Sequence, residues 1–218
     1  MASYYLVPAQ EIRRELMVEN SRFIVTLAPV FTTTGAKKFI KRIRSEYHDA
    51  THNVPAYLIG YPPNVTAHCS DDGEPSGTAG RPALNVLQGS GMGDIVVVVT
   101  RYFGGTKLGT GGLVRAYTDS TKLVVDQVPR ARRVPVNIYQ LEIPYPYYDR
   151  VWRLISDLNG EITQSDFGEQ VTLNYHLTGE KSEIFAQALS DLSSGRLKPV
   201  FIENRTLIQR ISKGENDR

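Results

Sequence analysis

The run Asp94-Ile-Val-Val-Val-Val-Thr-Arg-Tyr-Phe-Gly-Gly-Thr-Lys-Leu-Gly-Thr-Gly-Gly112 passes from an apolar segment through a glycine loop towards a helix. Its first part, Asp94–Phe103, reads as a strand, because β-branched residues suit pleated backbone and an unbroken apolar core leaves neither face for water. Glycines then free the backbone, and Gly111–Val128 reads as a helix that stops at Pro129. A strand entering a helix through such a loop gathers unpaired N–H groups at the positive end of the helix dipole, which favours phosphate. Gly109, Thr110, Gly111 and Gly112 are the candidate phosphate-binding residues, with Arg101, Lys107 and Arg115 adding side-chain charge. The loop lacks both the Gly-Lys-Ser/Thr ending of a Walker loop and the spacing of a dinucleotide fingerprint. The same glycines also serve a tight strand-to-helix turn that holds no ligand.

Upstream of this run, Ile12–Val18 and Arg22–Pro29 read as a hairpin around Glu19-Asn20-Ser21. Gly35–Tyr47 has helical periodicity, with Ala36, Phe39, Ile40, Ile43 and Tyr47 on one face. Val54–Tyr61 reads as a strand closed by Pro62-Pro63, followed by a Gly/Asp/Pro-rich loop and a short helix from about Pro82. Downstream, Val128-Pro-Arg-Ala-Arg-Arg-Val-Pro135 reads as a linker, since prolines at 129 and 135 bracket a basic segment. Beyond it come a strand Val136–Tyr145, a helix Tyr148–Leu158, a hairpin Glu161–Phe167 and Gln170–Leu177, a helix Lys181–Leu192 and a strand Pro199–Gln209. Trp152 is expected on the apolar side of the first of these helices, and Gly160 as its left-handed cap. The order strand-helix-strand-strand-helix-strand is that of a ferredoxin-like sandwich. The expected organisation is therefore α+β in two domains, 1–130 and 135–210, with a flexible tail 211–218 that contains Lys213–Arg218.

Composition narrows the function classes. With 218 residues, 41% hydrophobic and 22% charged, the chain has material for a packed core and is neither collagen-like nor disulfide-rich. The net charge of +2 argues against a histone-like packer. Divided at the linker, however, residues 1–134 hold 16 Lys+Arg against 11 Asp+Glu, a net of +5, and residues 135–218 hold 9 against 12, a net of −3. Such asymmetry points to an anionic partner for the first half and leaves open a protein partner for the acidic second. One cysteine, Cys69, permits no intrachain disulfide, and the N-terminal residues lack the apolar core of a signal peptide. A cytoplasmic protein with no membrane span is expected.

Several side-chain groups carry possible chemistry. Lys37, Lys38, Lys41, Arg42 and Arg44 form a cationic stripe on the helix Gly35–Tyr47, suited to phosphate backbone or simply to water. Asp71, Asp72 and Glu74 bring three carboxylates into four residues, the material of a Mg²⁺ site or of turn chemistry. His68 beside Cys69 raises a thiol nucleophile, and His48 with His52 has the separation of a zinc pair, although the helix ends near them. Tyr102 and Phe103 would stack on unpaired bases if exposed.

Glu19-Asn-Ser-Arg-Phe-Ile24, His48-Asp-Ala-Thr-His52, Ser70-Asp-Asp-Gly-Glu-Pro-Ser-Gly-Thr-Ala-Gly80 and Arg101-Tyr-Phe-Gly-Gly-Thr-Lys-Leu-Gly-Thr-Gly-Gly-Leu113 together resemble the YigZ/IMPACT family of the bacterial two-domain type. The resemblance implies a first domain with the ribosomal-protein-S5-domain-2-like fold and a second like the C-terminal domains of elongation factor G. Both folds recur in translation factors and ribosomal proteins, which by analogy implies an RNA or ribosome partner. Eukaryotic relatives regulate translation by competing for an activator of the starvation-responsive kinase, using an additional N-terminal domain, and that particular competition is not expected of this chain. The sequence thus points to a non-enzymatic nucleic-acid-binding protein with a role in translation regulation and no cofactor. Lys37, Lys38, Lys41, Arg42, Arg101, Lys107 and Arg115 are its expected contacts. The alternative is a nucleotide- or phosphate-binding enzyme that uses the loop from Gly104 to Gly112, with Mg²⁺ at Asp71 or Asp72.

Overall fold

The computed structural model describes residues 4–211; the expected tail beyond Ile211 lies outside the described residues. Two compact units divide between Arg132 and Arg133.

In the first unit, strand β1 (Tyr5–Pro8) is followed by β2 (Ile12–Val18), β3 (Ser21–Pro29), helix α1 (Thr33–Glu46), β4 (His52–Tyr61), β5 (Asn64–Cys69), α2 (Gly80–Gly89), β6 (Ile95–Tyr102) and α3 (Gly109–Gln127). Five strands pair antiparallel in the order β2-β3-β6-β4-β5. The Ile-Val-Val-Val-Val run is therefore the central strand, and Val99 lies opposite Val25 on one side and Val54 on the other. Its alternate residues serve two cores. Ile95, Val97 and Val99 join Leu84, Leu87, Ala116 and Tyr117 of α2 and α3, while Val96 and Val98 join Ala36, Phe39, Ile40 and Ile43 of α1. Helices on both faces explain why this strand has no polar alternation, even though its sheet is antiparallel.

Two differences from the sequence reading concern the segment after β4. A fifth strand, β5, occupies part of the expected loop and pairs back on β4. It is an edge strand exposed along most of its length, and its alternation of Val65, Ala67 and Cys69 with polar residues is short and built mostly from small side chains, so it stands out little from the Gly/Asp/Pro-rich segment around it. The helix α2 starts at Gly80, before Pro82, where a Cβ would lie 2.6 Å from the Ser70 carbonyl oxygen.

The segment read as a linker is a strand. Strand β7 (Arg130–Ile143) runs unbroken through Pro135, and its ladder with β9 begins only at Asn137, so the missing proline N–H costs no bond there. Its first residues lie beside β1, and the Ala9 N–H donates to the Pro129 carbonyl at 2.7 Å. In the second unit β7 leads through the turn Tyr145–Tyr147 to α4 (Tyr148–Asp157), β8 (Glu161–Phe167), β9 (Val171–Leu177), α5 (Gly179–Ser193) and β10 (Val200–Arg210). β9 pairs with β7 and β8, and β10 also pairs with β7, giving the path β10-β7-β9-β8. Leu141 and Ile143 of β7 and Val171, Leu173, Tyr175 and Leu177 of β9 bury one face of the sheet under α4 and α5.

Trp152 is 49% exposed and not part of this core. Val151 and Ile155 are the buried residues of α4, and Trp152 projects about 100° away from Val151 around the helix. At the end of α4 the left-handed position belongs to Asn159, with φ 53°. Gly160 serves close approach instead: a Cβ there would lie 2.5 Å from the Leu177 side chain.

Ile43 is fully buried in the cluster that seats α1 on the sheet. Ile43→Ala is expected to lower stability by about 2–5 kcal/mol in chemical denaturation. A loss well below that range would mean that α1 does not depend on this contact.

Candidate nucleic-acid interface

Helix α1 begins with Thr32, whose hydroxyl accepts a hydrogen bond from the Gly35 N–H at 3.0 Å. Its apolar face points into the core, so its cations must point outward, and they divide into two sets. Lys37, Lys41 and Arg44 line a cleft of about 570 Å³ together with Thr33, Ile40, Pro55, Tyr57, His68 and Ser70. Arg42 turns elsewhere: its guanidinium donates to Glu11 at 2.6 Å, and it lies 4.9 Å from the Phe39 ring centre. Lys38 is exposed and does not line the cleft. The five-cation stripe expected from sequence is thus a smaller, directed wall.

Behind the cleft lies a buried polar network that the sequence did not resolve. Arg101, expected to contact anions, is 4% exposed and donates to the Glu74 carboxylate at 2.7 Å. A buried guanidinium needs such a partner, because desolvating an unpaired charge is costly. The same Glu74 oxygen accepts from the Tyr117 hydroxyl at 2.8 Å. Burial first, and then the adjacent carboxylate, push the Tyr117 phenol far above its ordinary range, so it remains a donor. His52 Nε2 lies 3.7 Å from the other Glu74 oxygen, and its Nδ1 lies 2.8 Å from the Asp72 carbonyl. Asp72 pairs with Arg44 and accepts the Asn53 N–H at 2.7 Å, which ties the network to the cleft wall.

The three carboxylates therefore do three separate jobs. Asp71 accepts the N–H groups of Gly77 (2.9 Å), Ala79 (3.1 Å) and Gly80 (2.8 Å), replacing the side-chain cap that Ala79 cannot supply to α2. Burial opposes ionisation of Asp71, yet Gly77, Gly80 and Ala79 outweigh it and hold the carboxyl below its ordinary value. Among the described residues no group of three His, Cys, Asp or Glu side chains is placed to hold a metal ion. His48 lies exposed in the turn after α1 while His52 lies on β4, so the pair shares no helix face. Burial raises the Cys69 thiol above its ordinary value, the opposite of an activated nucleophile.

The glycine loop also resolves residue by residue. Gly109, Thr110, Gly111 and Gly112 form the first turn of α3, which has no acidic residue there and no capping side chain from Leu108. Lys107 and Arg115 are exposed nearby in the chain. A Cβ on Gly104 would lie 2.0 Å from the Asn20 carbonyl oxygen, so this glycine serves the packing of the loop against the β2–β3 turn. Tyr102 donates its hydroxyl to Asp49 at 2.7 Å, a bond that pushes the phenol up to about 12. Phe103 is 46% exposed, with the Arg101 guanidinium 5.5 Å from its ring centre.

Tyr57, Pro55 and Ser70 carry no functional signal in the sequence, and His68 stands out there only beside Cys69. No local pattern marks them as a group; the β4–β5 pairing, which places Tyr57 directly opposite His68, brings them together.

Asp71→Ala is expected to cost about 0.5–2 kcal/mol through loss of the α2 cap. The folded carboxyl titrates below the unfolded one. The contribution is therefore complete above the ordinary value of 3.8 and fades as pH falls through the lower folded value. Denaturation of both proteins at neutral pH and at about pH 2–3 checks this, and an equal gap at both would contradict the cap. Glu74→Ala leaves Arg101 unpaired and is expected to cost about 3–5 kcal/mol in thermal denaturation, with partial recovery when Arg101→Met is added.

Residues 19–125, the segment that supplies both the cleft and the network, match the family model of the Impact N-terminal domain. Residues 141–196 match the Domain of unknown function (DUF1949). The chain is 38% identical over 200 residues to the IMPACT family member YigZ of Escherichia coli (strain K12), covering 91% of this chain and 98% of that protein. It is 33% identical over 196 residues to the IMPACT family member YvyE of Bacillus subtilis (strain 168), covering 90% of each. A crystal structure described as that of a hypothetical protein is 37% identical, with a TM-score of 0.65 over 93% of this chain and 99% of that one. Likeness of this extent, spanning both units and covering at least nine tenths of the bacterial relatives, means that the chain belongs to the IMPACT family.

Proposed function

We propose that this IMPACT family member is a cytoplasmic RNA-binding protein that acts in translation and binds its partner without converting it. The cleft between α1 and the β4–β5 hairpin carries the reading: Lys37 and Lys41 stand exposed on one wall, with Arg44 beside them. Neutralising phosphates with such side chains releases counterions, which is the main source of affinity for nucleic acid. Lys107 and Arg115, near the uncapped first turn of α3 at Gly109–Gly112, extend the contact surface in the same reading. The path β10-β7-β9-β8, with α4 and α5 on one face, supports a ferredoxin-like second unit. The antiparallel sheet covered by α1 on one side and by α2 and α3 on the other supports an S5-domain-2-like first unit. Both folds recur in translation machinery, an argument by analogy.

The double variant Lys37→Glu with Lys41→Glu tests the reading in filter binding or anisotropy with RNA across a salt series. Affinity is expected to fall steeply, and the log–log salt slope to flatten by about 1.4, at roughly 0.7 per lost phosphate contact on a single strand. Unchanged affinity at low salt would overturn the proposal.

A further inference from the structure

The two walls of the cleft differ in kind. All three of its cations, Lys37, Lys41 and Arg44, belong to α1; at 1.5 Å per residue they span about 10 Å along the helix. The opposite wall, Pro55 and Tyr57 from β4, His68 from β5 and Ser70 after it, contains no lysine or arginine. Tyr57 and His68 are cross-strand partners in the β4–β5 ladder, and their ring centres lie 5.2 Å apart at an interplanar angle of 33°. Tyr57 is 4% exposed and packs with Ile40 and Ile43 in the core under α1, so it is a fixed support. His68 is exposed on the edge strand and presents a ring to the cleft. Ile40 on the α1 wall and Pro55 on the opposite one add apolar lining.

Charge on one side and an aromatic surface on the other do not match a duplex, whose phosphates lie outside and whose bases are paired and stacked within. They match a strand with its phosphates turned to one wall and an unpaired base turned to the other. We infer that the α1–β4–β5 cleft takes an unpaired nucleic-acid strand, with its phosphates on Lys37 and Lys41 and a base stacked on His68. The inference rests on the nucleic-acid reading above and assigns the class of strand and the residue that selects it. Support from Tyr57 holds the imidazole in place before binding, so little side-chain freedom is lost when a base arrives.

The experiment is fluorescence anisotropy of the full chain at low salt. One probe is a labelled single-stranded RNA of about ten nucleotides, within the usual site size of single-strand binders, and the other is its blunt duplex. The single strand is expected to bind more tightly than the duplex. His68→Ala is expected to weaken single-strand binding by about 5- to 150-fold, the range of one lost base stack, and to leave duplex binding unchanged. His68→Phe should restore most of the loss, because an aromatic face is what the base needs; melting temperatures of both variants verify folding. A His68→Ala effect within experimental error, a phenylalanine variant as weak as the alanine one, or duplex binding as tight as single-strand binding would each overturn the inference. Lys37→Glu with Lys41→Glu, run in parallel, separates the two readings. If it weakens binding while His68→Ala does not, the cationic wall stands and the stacking role falls. If neither variant changes affinity, the nucleic-acid reading falls as well.

Discussion

Arg101 and Glu74 meet almost out of reach of water, and the elements that frame the site of the first unit are tied together through their pair. Arg101 stands near the end of the central strand, and Glu74 comes from the loop before α2. Tyr117 of α3 and Ser21 of β3 bond to the same two side chains. A strand, a loop, a helix and a neighbouring strand are thus joined at one point, 27 residues apart in sequence for the charged pair itself. An ion pair of this kind is weak as a source of net stability, because removing both charges from water offsets much of their attraction. Its value lies in specificity: either partner alone would be a stranded buried charge, so alternative placements of the loop are penalised.

From that anchor the cleft follows. With Glu74 held, Asp71 reaches the start of α2 and Asp72 reaches Arg44, so a single acidic run clamps two helices. Arg44 is thereby drawn to the cleft rim, while Arg42 pairs with Glu11, the residue before β2. What remains for a ligand is Lys37 and Lys41, opposite a wall of rings and a hydroxyl. The cationic character of α1 is a property of its composition; the direction of that charge is a property of the packing around it.

Much of the architecture was legible because it rests on periodicity. The helix carrying Phe39, Ile40 and Ile43, the buried Ile95–Val99 strand and the element order of the second unit all announce themselves through spacing. The illegible parts have physical reasons. Strand β5 is exposed along most of its length, its alternation of Val65, Ala67 and Cys69 is short and mostly of small side chains, and β4 supplies its ladder of hydrogen bonds. Pro135 looked like an interruption, yet it precedes the β9 ladder and interrupts no bond to it. The apolar surface of Trp152 argues for burial, but it lies about 100° around α4 from Val151, at the margin of the buried face.

The site divides along the same line. By itself the sequence determined that the first half is basic, that its cations concentrate on one helix and that the motif strings belong together, since these depend on composition and short-range spacing. Only the tertiary structure decided which cations stay open. Arg101, Arg42 and Arg44 find carboxylates 27, 31 and 28 residues away, pairings that no local pattern encodes. The tertiary structure also brought Tyr57 and His68 opposite the lysines, because a cleft wall is made by strand pairing and charge is neutralised through space, not along the chain.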